Sequence, residues 1–265
     1  MAIPVLYSPG TDGSLAIIDS DGNVYNLPSG FQVRSIPFAR QSEPIKRAYG
    51  HGARDVADGT YLPRSLELYH IHAAETDAAY LAKWDELVEK ILVIEDFWLR
   101  AGTRQIQIKR VTEFNEAFGD GFRLRLGEYA AILLAEDPRW YRTTASVHDL
   151  ATAGVSPYLF SVFVGGTAEL HPVITIENLA NNADFKIEHL GDDSARWIRL
   201  QDAGALNGTT IEIDCVNGTV YRDGATSVIQ YATGLFLRLL PNRDNSLRYT
   251  GASANIRLTH RWAYL

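Results

Sequence analysis

The sequence predicts a mainly β protein of two domains: an N-terminal β-domain with one long helix, then a C-terminal β-sandwich. Three observations lead there. Apolar and polar residues alternate with period 2 along much of the chain, as in Arg104-Gln-Ile-Gln-Ile-Lys-Arg-Val111. Turn residues, above all Asp-Gly and Asn-Gly, recur between those runs. Only the stretch from about 76 to 98 carries the apolar spacing of an amphipathic helix.

Taken in order, the run from Leu15 to Tyr25 is strand, Asp21-Gly22 turn and strand, a hairpin signal. Residues 34–38 form a short apolar piece. Residues 43–59 are polar, charged and dotted with Gly50, Gly52 and Gly59. They read as a long loop, and loops of that length are uncommon in compact domains unless function or a partner orders them. Residues 61–72 alternate, with Leu66 and Leu68 opposite Glu67 and Tyr69. The helix then starts at Thr76, a good N-cap, with Asp77 favourable in the first turn. Leu81, Trp84, Val88, Ile91 and Leu92 form its apolar stripe, opposite Lys83, Asp85, Glu86, Glu89 and Lys90. Gly102 lies just beyond and can reset the chain direction. Strands follow at 104–111, 122–127 and 129–135, and Asp137-Pro138 breaks the sheet.

Residues 142–156 are polar, small and weakly patterned, which places the domain boundary there, with domains 1–145 and 146–265. Beyond it, strands are expected at 159–164, 173–177, 184–189, 197–200, 210–215 and 219–221. Short strands at that spacing, with Asn/Gly turns and no helix, make a β-sandwich. The closing segment is apolar from Phe236 to Leu240, a buried strand that Pro241 ends. Asn242, Asp244 and Asn245 favour a turn, and Gly251 another. Ile256 and Leu258 then alternate with Arg257 and Thr259 in a last strand.

Bulk properties exclude several classes. The net charge of −7 argues against a nucleic-acid binder, which needs a basic patch. A single cysteine, Cys215, allows no internal disulfide and reads as a small apolar strand residue. The start, MAIPVLYSPG, lacks the basic and apolar regions of a signal peptide, and no run approaches the ~18 apolar residues of a membrane span. A cytosolic, soluble origin without membrane insertion is the expectation.

No motif carries catalytic chemistry, so no enzyme and no cofactor are expected. Asp19-Ser-Asp21-Gly22-Asn23 echoes a calcium loop, but the twelfth residue from Asp19 is Gly30 rather than an acid, and a hairpin turn is the better reading. His70-Ile-His72 puts two imidazoles on one strand face without a third ligand at a recognisable spacing. Gly119-Asp-Gly121 and Gly50-His-Gly52 do not sit between strand and helix, as a phosphate cradle requires. Asn207-Gly208-Thr209 and Asn217-Gly218-Thr219 suit type I′ hairpin turns. Asp192-Asp193 reads as a solvated turn. Trp197 and Trp262, with Trp140 and several tyrosines, are candidate sugar-stacking rings on the sandwich, against the preferred reading of core filling.

The order Leu240-Pro241, a short polar insert, Asp244-Asn245, then a final strand closing on Arg261-Trp262 resembles the C-terminus of siphophage distal tail proteins. That family usually carries Leu-Pro-Gly-(Asp)-Asn, and here Asn242-Arg243 replaces the glycine. Asp137-Pro138 with its following aromatics, and the run Trp197 … Asn207-Gly208-Thr209 … Asn217-Gly218-Thr219-Val220, are similar to further family features. The resemblance implies a structural virion protein at the distal end of the tail. It implies a homohexameric ring between the tail tube and the tip or baseplate, formed by the first domain around the DNA channel. It also implies a galectin-like or carbohydrate-module-like outer sandwich. Partners implied are the tail tube protein, tail hub or tip proteins and receptor-binding proteins, with DNA as passing cargo. Lys46 and Arg47, in the charged loop, are then candidate inter-subunit residues. The alternative is a carbohydrate-binding module or host-surface adhesin acting through the sandwich.

Overall fold

In the computed structural model, residues 5–7, 15–28, 30–35, 63–73, 76–92, 94–118, 126–151, 156–192 and 196–265 are described. The candidate loop with Lys46 and Arg47, and the glycine motifs at 50–52 and 119–121, lie outside them. The chain divides into two compact units, Met1–Thr143 and Thr144–Leu265. Both are built of antiparallel strands, so the protein is mainly β. Among the described residues no helix is long and apolar enough to cross a membrane.

The first unit has two sheets. Sheet I contains β1 (Val5–Tyr7), β4 (Gln32–Ser35), β5 (Arg64–Ala73), β8 (Arg110–Phe118) and β9 (Leu126–Ala135), in the order β1-β4-β5-β9-β8. Sheet II contains β2 (Leu15–Ile18), β3 (Val24–Asn26), β6 (Phe97–Ala101), β7 (Arg104–Ile108) and β10 (Trp140–Arg142), in the order β10-β7-β6-β2-β3. Leu66, Leu68 and Leu133 of sheet I and Ile17, Leu99 and Ile106 of sheet II are fully buried, as period-2 patterning requires. Asp19–Asn23 is the β2–β3 turn. Asp19 Oδ1 accepts from the N–H of Asp21 (3.0 Å) and Asn23 (2.8 Å), the side-chain closure of a hairpin turn.

The helix is shorter than the sequence predicts. α1 spans Asp77–Leu87, with Thr76 Oγ1 accepting from Ala79 N at 3.1 Å, and a π-helical turn, Val88–Leu92, ends it. Residues 97 and 98, expected in the helix, belong to β6. The cause is local. Asp96 takes φ +56, which breaks helical geometry, and clamps Lys109 Nζ at 2.7 and 2.8 Å. Phe97 and Leu99 then bury completely on one strand face, which a helix would not allow. Of the expected stripe, Ile91 is buried and Trp84 half-buried, but Leu81 is exposed. Trp84 packs on Tyr129 (4.9 Å between centroids) and Phe114 (5.2 Å). His70 lies parallel to Phe31 at 4.1 Å and faces Tyr129 at 6.0 Å, so it is part of this ring stack.

The second unit is a β-sandwich. Sheet III contains β11 (Ser146–Ala151), β13 (Val173–Asn178), β16 (Thr210–Asp214), β17 (Thr219–Arg222), β18 (Thr226–Ser227) and β21 (Ala254–His260), in the order β11-β21-β13-β16-β17-β18. Sheet IV contains β12 (Tyr158–Val164), β14 (Asp184–His189), β15 (Trp197–Gln201), β19 (Ala232–Gly234) and β20 (Arg243–Thr250), in the order β12-β20-β14-β15-β19. Alternate residues of both sheets are buried, among them Ile174, Ile176, Ile213 and Leu258 of sheet III and Phe185, Ile198, Leu247 and Tyr249 of sheet IV.

Two local expectations are corrected, and one crossing between the sheets is added. Neither Asn207 nor Asn217 takes positive φ; only Gly208 (φ +82) and Gly218 (φ +68) do, so no type I′ turn forms. Asp214 instead closes a longer loop, its Oδ1 accepting from the N–H of Val216 and Asn217. Residues 236–240 belong to no named strand, and among them Leu239 alone forms a bridge, to Leu170. The last two long strands are not a hairpin, because β20 pairs with β12 and β14 while β21 pairs with β11 and β13. The turn at Gly251 therefore carries the chain from sheet IV to sheet III. A Cβ there would come within 2.7 Å of Phe185 Cβ and 2.8 Å of the Tyr249 hydroxyl, which is why a glycine stands at the crossing.

Candidate functional site

Buried polar groups fasten the connections of the sandwich. Asn245 is fully buried; its Oδ1 accepts from Leu240 N at 2.7 Å, and its Nδ2 donates towards the carbonyls of Leu240 (3.1 Å), Arg243 (3.2 Å) and Val162 (3.3 Å). One amide thus closes the turn after Pro241 and ties it to β12. Asn242, in place of the glycine of the resembled motif, has φ +53, a conformation that Asn tolerates better than other side chains. At the sheet crossing, Asn182 Nδ2 donates to the Tyr249 hydroxyl (2.6 Å) and to Asn178 Oδ1 (2.9 Å), and Asn182 Oδ1 accepts from Ala252 N (2.9 Å). Asp192, expected in solvent, has a side chain only 1 % exposed. Arg238 grips it twice, at 2.8 and 3.1 Å, and reaches Glu169 at 3.1 Å. Sequence reasoning missed this group because the sequence separation of Asp192 and Arg238 hides the pairing.

Burial pushes the Cys215 thiol up to about 12, so it is no nucleophile at neutral pH. Among the described residues no group of three His, Cys, Asp or Glu could hold a metal ion. His148 and His260 meet ring nitrogen to ring nitrogen, Nε2 to Nε2 at 3.2 Å, across β11 and β21.

The outward face of sheet IV carries the polar groups that could meet a ligand. Register sets Lys186 of β14 between Arg199 of β15 and Thr250 of β20, and Glu188 between Trp197 and Arg248. Asp184, Lys186, Trp197, Arg199, Thr250 and Gly251 line an open cleft of about 290 Å³. Arg199 forms a two-pronged pair with Asp184, with Nε to Oδ1 at 2.7 Å. That hydrogen bond holds the Asp184 carboxyl below its ordinary range. Arg248, at 2.7 Å, and Lys186 do the same for Glu188. The Lys186 ammonium stands 4.7 Å from the centre of the Trp197 ring. On the edge strand β19, Gly234 (φ +102) makes room for that indole, since a Cβ would come within 2.7 Å of its Cε3.

Trp262, the other candidate ring, packs elsewhere. A Cβ on Gly165 would lie 2.8 Å from its Cε3, and Phe163 meets it edge-on at 6.5 Å. A second cleft, of about 380 Å³, opens on sheet III between Asp149, Thr175, Glu177, Thr210, Asn255 and Arg257. Its groups bond to one another, Arg257 Nε to Asp149 at 2.7 Å and Asn255 Nδ2 to Glu177 at 3.1 Å, and no aromatic ring lines it.

Mainly β and built of two units, the chain has a fold known from a solved phage protein. One solved structure it matches is the Dit protein of phage SPP1, a paradigm of the hub adsorption apparatus in phages infecting Gram-positive bacteria. The TM-score is 0.64 at 16 % identity, over 94 % of this chain and 99 % of that one. Chains of the phage P2 baseplate in its activated conformation, with Ca and with Sr, match at 12 % and 11 % identity. They cover 93 % of this chain and 97 % of theirs, but with TM-scores of 0.40 they add nothing to the fold assignment. No protein-family model matches the chain, and no curated protein does.

Proposed function

We propose that this chain is a distal tail protein of a siphophage, a non-enzymatic virion component that joins the tail tube to the tail tip or baseplate. The observation that carries the reading is the architecture shared with SPP1 Dit along nearly the whole of both chains. The first unit builds a homohexameric ring around the DNA channel, through a heterologous interface that closes on itself. The second unit projects outward and meets tail-tip and receptor-binding proteins. The net charge of −7 suits a lumen through which DNA passes without sticking. The protein is made in the host cytoplasm and ends at the distal end of the tail.

Solution mass and negative-stain images of the purified protein, alone and mixed with the neighbouring tail proteins, test this. Rings with a central hole are expected. A monomer under every one of these conditions would overturn it. Lys46 and Arg47 are proposed as ring contacts, and Lys46→Glu with Arg47→Glu is expected to abolish the rings; unchanged rings remove that loop from the interface.

A further inference from the structure

We propose that the cleft on the outward face of sheet IV binds a neutral pyranose sugar, with Trp197 as the stacking platform and the Asp184–Arg199 pair as the hydroxyl reader. This goes beyond the tail role and does not depend on it.

The chemistry of the lining selects the ligand. A pyranose offers a C–H face and a rim of hydroxyls, each of which both donates and accepts. Trp197 supplies the flat apolar surface, and Gly234 holds the indole close against β19. Asp184 accepts and Arg199 donates, and their mutual two-pronged bond fixes both side by side before any ligand arrives. The Thr250 hydroxyl, opposite Lys186 in the register, adds a third polar contact on the same wall. A volume of about 290 Å³ suits a small ligand or the terminal ring of a larger one.

Lys186 is the cover that the sugar displaces: its ammonium lies over the indole and is bonded to Glu188, so stacking requires it to swing off the ring face. An anionic ligand would have to approach the Asp184 carboxylate, whereas a neutral polyol meets donors and acceptors alike. The cleft on sheet III has comparable polar pairs but no ring, so it lacks the stacking half of the site.

The test is saturation-transfer NMR of the full chain with methyl glucoside, methyl galactoside, N-acetylglucosamine and rhamnose as separate probes. At least one is expected to bind with transfer concentrated on ring C–H protons. Trp197→Ala should weaken that binding roughly tenfold or more, the factor that about 1.4 kcal/mol produces. Trp262→Phe should leave it unchanged. Should Trp197→Ala fail to fold, Arg199→Ala and Thr250→Val carry the same test, since both alter the cleft without touching the core. Failure of all four sugars to bind, or binding that ignores every cleft substitution, overturns the proposal. Either failure leaves ring formation, and with it the tail reading, untouched.

Discussion

The first unit packs its helix on sheet I through rings, while the second fastens its loops through buried amides and carboxylates. In the first, Phe31, His70, Tyr129, Trp84 and Phe114 form one connected stack. In the second, Asn245, Asn182 and Asp192 are nearly or fully buried, and each bonds two or more partners from other parts of the chain. The difference is one of directionality. Stacked rings lose contact gradually as they shift. A buried amide or carboxylate that loses one partner carries its full desolvation cost. The second unit should therefore be the more sharply specified, which suits outward faces held in a fixed shape.

The largest expected effect strikes the second unit. Arg238→Ala leaves Asp192 buried without its two-pronged partner and should cost about 3–5 kcal/mol in urea denaturation. Arg238→Met, which is apolar but fills space, cannot restore the charge; equal stability of that variant and the native chain would show the network to be dispensable. Next comes the first unit. Trp84→Ala removes a half-buried ring from the stack and should cost about 2–3 kcal/mol, below the full value for a buried tryptophan. Hydrogen exchange should then rise in β8 and β9 and remain unchanged in β13 and β16. Faster exchange in both units would erase the contrast between them.

Asn245→Ala should cost about 2 kcal/mol, because Leu240 N–H and the carbonyls of Val162 and Arg243 lose their side-chain partner together. Asn245→Asp keeps the acceptor for Leu240 N–H but sets a buried carboxylate against backbone carbonyls, so it should cost at least as much as Ala. A smaller loss in Asp than in Ala would assign most of the effect to the Leu240 N–H bond.

A pH ramp separates the units by a smaller amount. Burial, and then the neighbouring His148, push the His260 imidazole down from 6.5 to about 4. The folded state therefore holds the neutral ring. Its contribution is complete above pH 6.5 and is lost as pH falls towards 4, amounting to roughly 2 kcal/mol by about pH 5. His260→Gln should flatten the thermal-stability profile over that window. A profile that keeps its slope would place the acid sensitivity elsewhere.

Much of this arrangement was legible in the sequence, and the gaps have physical causes. Period-2 runs located most strands of both units, since alternate burial is written directly into the order of residues. Sequence overruns the helix because 91–94 is a continuous apolar stretch, which fits helix and strand alike, and the left-handed Asp96 that leads into β6 leaves no mark in the periodicity. That β20 and β21 join different sheets is not legible, because a turn between two strands does not say which sheet each one joins. The candidate cleft was legible only as Trp197. Asp184, Lys186 and Arg199 gather there through cross-strand register, which no local spacing reports.

The smallest effect belongs to the residue that departs from the resembled motif. Asn242 holds φ +53 where the motif has glycine, and a Cβ costs about 1–2 kcal/mol in that region unless the side chain bonds locally, as Asn can. Asn242→Gly removes the strain but gives the unfolded chain more freedom. The two terms oppose each other, so the midpoint of urea unfolding should move by less than the equivalent of about 0.5 kcal/mol. Asn242→Val keeps the strain, loses the polar compensation and should destabilise. If valine is tolerated as well as glycine, the left-handed turn contributes nothing, and Asn245 alone fixes the path from Leu240 into β20.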